Sequence, residues 1–327
     1  MHWLGAMQAQ EFAEAKWSIG QRVDGATDAD VEEAFARGEI LRTHVLRPTW
    51  HFVTPADIRW VLRLTGPRVH AANRYMYRKL ELSDDVLARA HAAIARALEA
   101  DEPRTRAELA EALREAGIVA DGLRLGYILM HAELEQVVCS GPRRGRQQTY
   151  ASFDERVPAG RELMRDEALA ALTLRFFRSR GPATVRDFTA WSGLTVADAK
   201  AGLRVTEGQL DAQVDDDGTK WIGPPGGERE PAPGAFLIPM YDEIVSGYKD
   251  LRIVLAKPPP REGMLSRPIV IDGRTVGSWK RTVTNRAATV EATLFTDLSA
   301  AEGSVLHGVV ERFGRFMQLP AALETSP

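Results

Sequence analysis

A single cysteine, Cys139, stands in the 327 residues. That excludes an internal disulfide and any multi-cysteine zinc site. A small buried hydrophobe is the plain reading of the thiol, and a reducing, cytoplasmic setting follows by default. No run approaches the roughly 20 apolar residues of a membrane-spanning helix, so no membrane partner is expected. The N-terminus lacks the basic, apolar and small-residue series of a signal peptide. There is no P-loop, no dinucleotide fingerprint, no zinc-ligand spacing and no Gly-x-Ser-x-Gly elbow. Neither a cofactor nor a metal is therefore expected, and a covalent hydrolase is poorly supported.

What is present is an ordinary globular composition, 44% apolar and 27% charged. The length calls for more than one core. A net charge of −3 argues against nucleic acid, but its distribution argues for it. Between residues 41 and 80 lie Arg42, Arg47, Arg59, Arg63, Arg68, Arg74, Arg78 and Lys79, against Asp57 alone. Arg143, Arg144 and Arg146 form a second cluster, while acidic residues gather elsewhere, as at Asp215-Asp216-Asp217. A locally basic face can hold a phosphate backbone on a nearly neutral chain. The plainer alternative is an arginine-rich solvated surface.

The order of elements repeats. Residues 2–20 read as a helix, Thr27 caps a second helix that Gly38 ends, and two short strands flank Arg47-Pro48. Helices then follow over 83–99, from Thr105 to Ala116 and over 121–136, with paired strands across the basic loop 141–146. A third set runs over 165–180, 185–191 and 196–203 with a Gly-containing turn, then strands near 209–215 and 219–222. Its Asp187 and Asp198 suit scaffolding better than base reading. After the Pro/Gly-rich stretch 223–234 the pattern turns to strands, with Asp272-Gly273 as a tight hairpin and an amphipathic helix over 297–316.

The fold class expected is therefore α+β, mainly α: three tandem winged-helix (helix-turn-helix) units, then a C-terminal β-rich, barrel-like part with a closing helix. The boundaries read as 1–80, 81–160, 161–223 and 235–320.

Candidate site residues are few. Gln8 and Gln10 stand one residue apart in an otherwise apolar stretch. An i, i+2 pair shares one face of an extended strand or sits on adjacent sides of a helical turn. Glutamine donates and accepts but does not titrate, so the pair could position or polarise a group without acting as a charged base. On its own it reads as an ordinary helix face. His51 faces either a site or merely a hydrogen bond within the wing. Asp242 and Glu243 are adjacent carboxylates at either a site or a helix N-terminus.

Six stretches together resemble a known family along nearly the whole chain. They are Trp3–Gln10, Arg42–His51, Gly141–Gly145, Gly181–Phe188, Pro239–Glu243 and Asp272–Trp279. The resemblance is to the winged helix DNA-binding domain-containing proteins that include the AlkZ-like and YcaQ-like DNA glycosylases. It implies a concave DNA-binding surface and excision of N-alkylated purines, including bulky adducts and crosslinks. The catalytic motif is Gln-x-Gln in AlkZ-like members and Gln-x-Asp in YcaQ-like ones; Gln8 and Gln10 match the former. His51, Asp242 and Glu243 become site neighbours, and Arg47, Arg143, Arg144 and Arg146 the phosphate contacts. The expected partner is double-stranded DNA carrying alkylated bases, met by a monomer in the nucleoid-associated cytoplasm. The competing expectation is a non-catalytic winged-helix regulator or scaffold.

Overall fold

The computed structural model describes residues 1–99, 102–160, 162–226, 234–251 and 267–326. The chain divides into two compact bodies, Met1–Met7 with Ala34–Pro225, and Gln8–Glu33 with Gly226–Pro327.

The N-terminal segment is not helical. A short strand β1 (Met7–Gln8) precedes helix α1 (Phe12–Gly20). Residues 5–9 are buried at every position, so this run carries no amphipathic stripe. Gly5 at φ +77° turns the chain into it. Apolar spacing alone read a helix from residue 2; pairing and burial overrode it. Helix α2 (Asp28–Ala36) starts at Thr27, whose hydroxyl and backbone N–H both donate to Asp30 Oδ2. The hairpin of β2 (Leu41–His44) and β3 (Trp50–Val53) follows, and the sheet order is β1-β3-β2.

Helix α3 (Pro55–Lys79) leads to the second set. It comprises α4 (Asp84–Ala97), β4 (Arg104–Thr105), α5 (Arg106–Glu115), α6 (Gly122–Leu134), β5 (Val138–Arg144) and β6 (Gln147–Ser152). Its sheet order is β4-β6-β5, the same crossing as β1-β3-β2. Leu87, Ile94, Leu109, Leu113, Ile128 and Val138 fill its core. The helical turn α7 (Phe153–Arg156) closes it.

The third set is α8 (Arg165–Arg180), α9 (Val185–Ser192), α10 (Val196–Val205), β7 (Asp211–Val214) and β8 (Lys220–Gly223). The bridge Ala183↔Ile222 replaces its first strand. Thr184 with Asp187 and Thr195 with Asp198 form the capping boxes of α9 and α10. Both aspartates are thus local scaffolding, as the sequence suggests.

In the other body, β9 (Ala235–Leu237), the turn α11 (Glu243–Ser246), β10 (Pro268–Ile271), β11 (Arg274–Val283), β12 (Ala288–Leu294), α12 (Ala300–Met317) and β13 (Ala321–Ser326) follow in order. Among the described residues the sheet is open, in the order β13-β12-β11-β10-β9, and no barrel closes. Asp272 and Gly273, at φ 47° and 76°, make the expected tight turn. Strand β13 pairs parallel to β12 and carries no sequence signal strong enough to call. Trp17 of α1 packs edge-on against Phe313 of α12, 5.1 Å between centroids, and its indole N–H donates to Leu237 O at 2.9 Å. Of the Pro/Gly-rich stretch read as a linker, residues 227–233 lie outside those described.

Candidate functional site

Gln8 is buried and Gln10 is exposed, Gln8 in β1 and Gln10 at the bend before α1. The chain reaches them under restraint. Arg180 donates to Leu4 O at 3.0 Å and Ala6 O at 3.2 Å, while its guanidinium lies over Trp191, 4.4 Å from the ring centroid. The backbone N–H of Gln8 donates to Glu243 Oε1 at 2.7 Å. A buried carboxylate therefore holds the motif by its main chain, across 235 positions of sequence. Of the expected site neighbours, Glu243 is the one shown touching the motif.

The loop before Glu243 is built by carboxylates. Glu14 on α1 accepts from the Met240 N–H at 2.8 Å and from Arg267 at 2.6 Å. Tyr241 takes φ +64°, a left-handed conformation unfavourable for a side chain of its size. Asp242 then caps α11, accepting from the Ile244 N–H at 3.0 Å, and receives Arg22 in a two-pronged pair at 2.7 and 2.8 Å. Burial pushes the Asp242 carboxyl up. The Arg22 charge and hydrogen bonds, with the Ile244 N–H and Ser18, outweigh it and leave the group below its usual range. Asp242 is thus a buried, ionised helix cap, the plainer of the two sequence readings. The sequence missed Glu14, Arg22 and Arg267, whose partners lie more than 200 positions away.

His51 belongs to the other body. It is fully buried, and Nδ1 meets Thr49 O at 2.9 Å. Nε2 has no hydrogen-bond partner among the described residues. Burial, then the nearby Arg47, pushes its pKa well below the ordinary histidine value. His51 is therefore neutral at pH 7, with Nδ1–H donating and an acceptor lone pair on Nε2.

The four arginines expected on phosphate differ in availability. Arg47 is half-buried at the hairpin tip and Nη1 reaches Ala190 O at 3.5 Å. The tip itself, Leu46 at φ +64°, abuts Gly193 so closely that a Cβ there would lie 2.4 Å from Leu46 O. Arg143 donates to Arg146 O at 3.1 Å. Arg144 pairs with Glu108 at 2.7 Å and donates to Pro103 O. Glu108 also closes the Thr105 capping box, and its carboxyl is held at about 2 by the Thr105 N–H, then by Arg144. Arg146 is exposed at the turn. Among the described residues its side chain makes no hydrogen bond or ion pair, and neither do those of exposed Arg74, Arg78 and Lys79 at the end of α3. Much of the 41–80 basic cluster is used internally. Arg59 pairs with Asp154, Arg63 with Glu162, and Arg42 lies over Trp50.

A family model described as DNA glycosylase AlkZ-like matches residues 1–316. No curated protein matches the chain in sequence. Among solved structures, the DNA glycosylase AlkZ of Streptomyces sahachiroi is similar with a TM-score of 0.76 and 20% identity. The match covers 98% of this chain and 92% of that one. At that identity the likeness is one of fold.

Proposed function

We propose a substrate and a mechanism for this chain, which belongs to the AlkZ-like DNA glycosylase family. The enzyme hydrolyses the N-glycosidic bond of cationic, N-alkylated purines in duplex DNA, with Gln8 and Gln10 holding the attacking water. An alkyl group at N7 or N3 makes the purine cationic and already a good leaving group. The C1′–N9 bond breaks with its electron pair going to the purine, which leaves neutral. The sugar passes through an oxocarbenium-like state. Water oxygen bonds to C1′ and its proton passes to solvent.

Such a reaction needs placement more than a strong base. Two amide oxygens can accept from one water and hold it in line. They would do little for a neutral, undamaged nucleotide, which gives chemical selectivity. Bulky adducts and interstrand crosslinks fall within the same chemistry, because the alkyl group need not enter a pocket.

The observation that carries this reading is the main-chain bond from Gln8 to buried Glu243. A water-positioning residue needs a fixed backbone. Glu243 supplies that as a positioning residue, with Asp242 setting the start of α11 beside it. His51, in the other body, keeps an uncharged Nε2 acceptor and makes no proton transfer. Arg47, Arg143, Arg144 and Arg146 contact phosphates; of these Arg146 is the most available.

The deciding assay is base release from duplex DNA carrying N7-methylguanine, and from a bulkier N7 adduct. Wild type releases base, and Gln10→Ala loses release while keeping DNA binding. Binding without any release, on either lesion, would leave a DNA-binding regulator or scaffold instead.

A further inference from the structure

Three of the seven histidines gather in one place that the glycosylase chemistry does not use. His70 comes from α3, His91 from α4 and His131 from the last turn of α6. Glu135, at the C-cap of α6, follows His131 by four positions, so both side chains share one helix face. All belong to the same compact body.

The spacing is that of ligands. One ligating atom from each of His70, His131 and Glu135 lies within 4.8 Å of the others. His70 Nε2 stands 2.9 Å from Glu135 Oε1. That nitrogen is buried, yet finds no partner in hydrogen-bond geometry. Outer groups orient the rings. His70 Nδ1 meets the Tyr77 hydroxyl at 2.9 Å, and His131 Nδ1 meets His91 Nε2 at 3.1 Å. Metal-ligating histidines characteristically use their second nitrogen in this way. Burial lowers all three histidine pKa values, and for His131 burial and the two neighbouring rings bring it to about 3. Neutral imidazoles keep the lone pairs that a cation needs.

We propose that His70, His131 and Glu135 form a site for a divalent transition-metal cation of the zinc type, with His91 and Tyr77 orienting the two imidazoles. Bond lengths of about 2.0–2.2 Å put tetrahedral ligand atoms roughly 3.4 Å apart. Closing from at most 4.8 Å takes up to about 1.4 Å of relative side-chain movement. Two nitrogens and one oxygen select zinc, nickel, cobalt or copper over magnesium and calcium, which prefer all-oxygen shells. Three protein ligands leave a fourth position to water. Glu135 is 51% exposed, so a cation can enter from solvent. The bound ion would tie α3 to α6, with α4 joined through His91.

The test uses the full chain without a histidine tag, stripped by chelator and dialysed. Co²⁺ should bind with one-to-one stoichiometry and give visible d–d absorption. Zn²⁺, followed by competition with a chromophoric chelator, should displace it and raise the Tm. His70→Gln, His131→Gln and Glu135→Gln should each weaken Zn²⁺ binding at least about 10-fold and His91→Gln by roughly 10-fold, as for outer-shell partners. Glu135→Gln alters an exposed side chain, so it separates lost binding from lost folding. The proposal falls if the folded wild type binds neither metal at about 100 µM, a range far weaker than structural zinc. It also falls if these variants bind as wild type does. Loss on His2→Gln alone would assign binding to the chain terminus and likewise overturn it.

Discussion

At the scale of single residues, the proposal divides the motif into a side-chain role and a main-chain role. Gln10 is exposed, so Gln10→Ala should leave the melting temperature unchanged and lower single-turnover base release by about 100-fold, the size of losing one preorganised polar contact. Glu243→Gln keeps the shape that holds the Gln8 N–H but weakens a charge-assisted bond. It should reduce the single-turnover rate with DNA affinity unchanged. Because His51 is neutral well into the acid range and glutamine does not titrate, base release from a cationic lesion should be flat between about pH 6 and 8. A bell-shaped profile centred there would require a titrating base that this site does not provide.

Asp242 makes a separate, stability-level claim. Its folded pKa is depressed below an unfolded value of about 3.9. The stabilisation is therefore fully present above about pH 4 and is lost as pH falls through the folded value. Asp242→Asn leaves Arg22 facing an uncharged partner and should destabilise by about 3 kcal/mol at pH 7. In denaturant melts the gap between variant and wild type should narrow below about pH 4.

At the scale of elements, most helices were legible because their ends carry local chemistry. Thr27 with Asp30, Thr105 with Glu108 and Thr184 with Asp187 mark starts that need nothing distant. Gly38 and Gly193 mark ends at positive φ. The misread element was the first one. Trp3, Leu4 and Met7 mimic helical spacing, while Gly5 and burial on every side of residues 5–9 impose an extended path. Its determinants among the described residues, pairing with β3 and the contacts of Arg180 and Glu243, lie elsewhere along the chain. The hairpin of β5 and β6 makes its own prediction. Arg146→Ala should weaken duplex binding uniformly across sequences and reduce the salt slope by about one, since its guanidinium has no partner within the described protein. Arg144→Ala should do less, because Glu108 already holds that charge. In the other body, α1 meets α12 at Gly20, where a Cβ would sit 2.4 Å from the Phe316 ring. Gly20→Ala should cost about 1–3 kcal/mol in chemical denaturation, the usual range for overpacking.

For the whole molecule, the sequence by itself determined the class: helices with local caps, basic hairpins, a strand-rich C-terminal part and an order of motifs specific to one family. Those are short-range features, and a short-range pattern survives reading one residue after another. It also singled out Gln8 and Gln10 as candidates without fixing their conformation. Tertiary structure decided the rest, because the deciding partners are remote. It put Gln8 on a strand held by Glu243, made Asp242 a buried cap for Arg22, and added a parallel strand after the last helix. It paired Arg42, Arg59 and Arg63 with partners in their own chain and left exposed Arg74, Arg78, Lys79 and Arg146 without a side-chain hydrogen bond or ion pair among the described residues. It also brought His70 to His131 and Glu135 across more than 60 positions of chain. Charge and ligand type are written in the sequence, but which charge remains available and which ligands converge depends on distances that only folding sets.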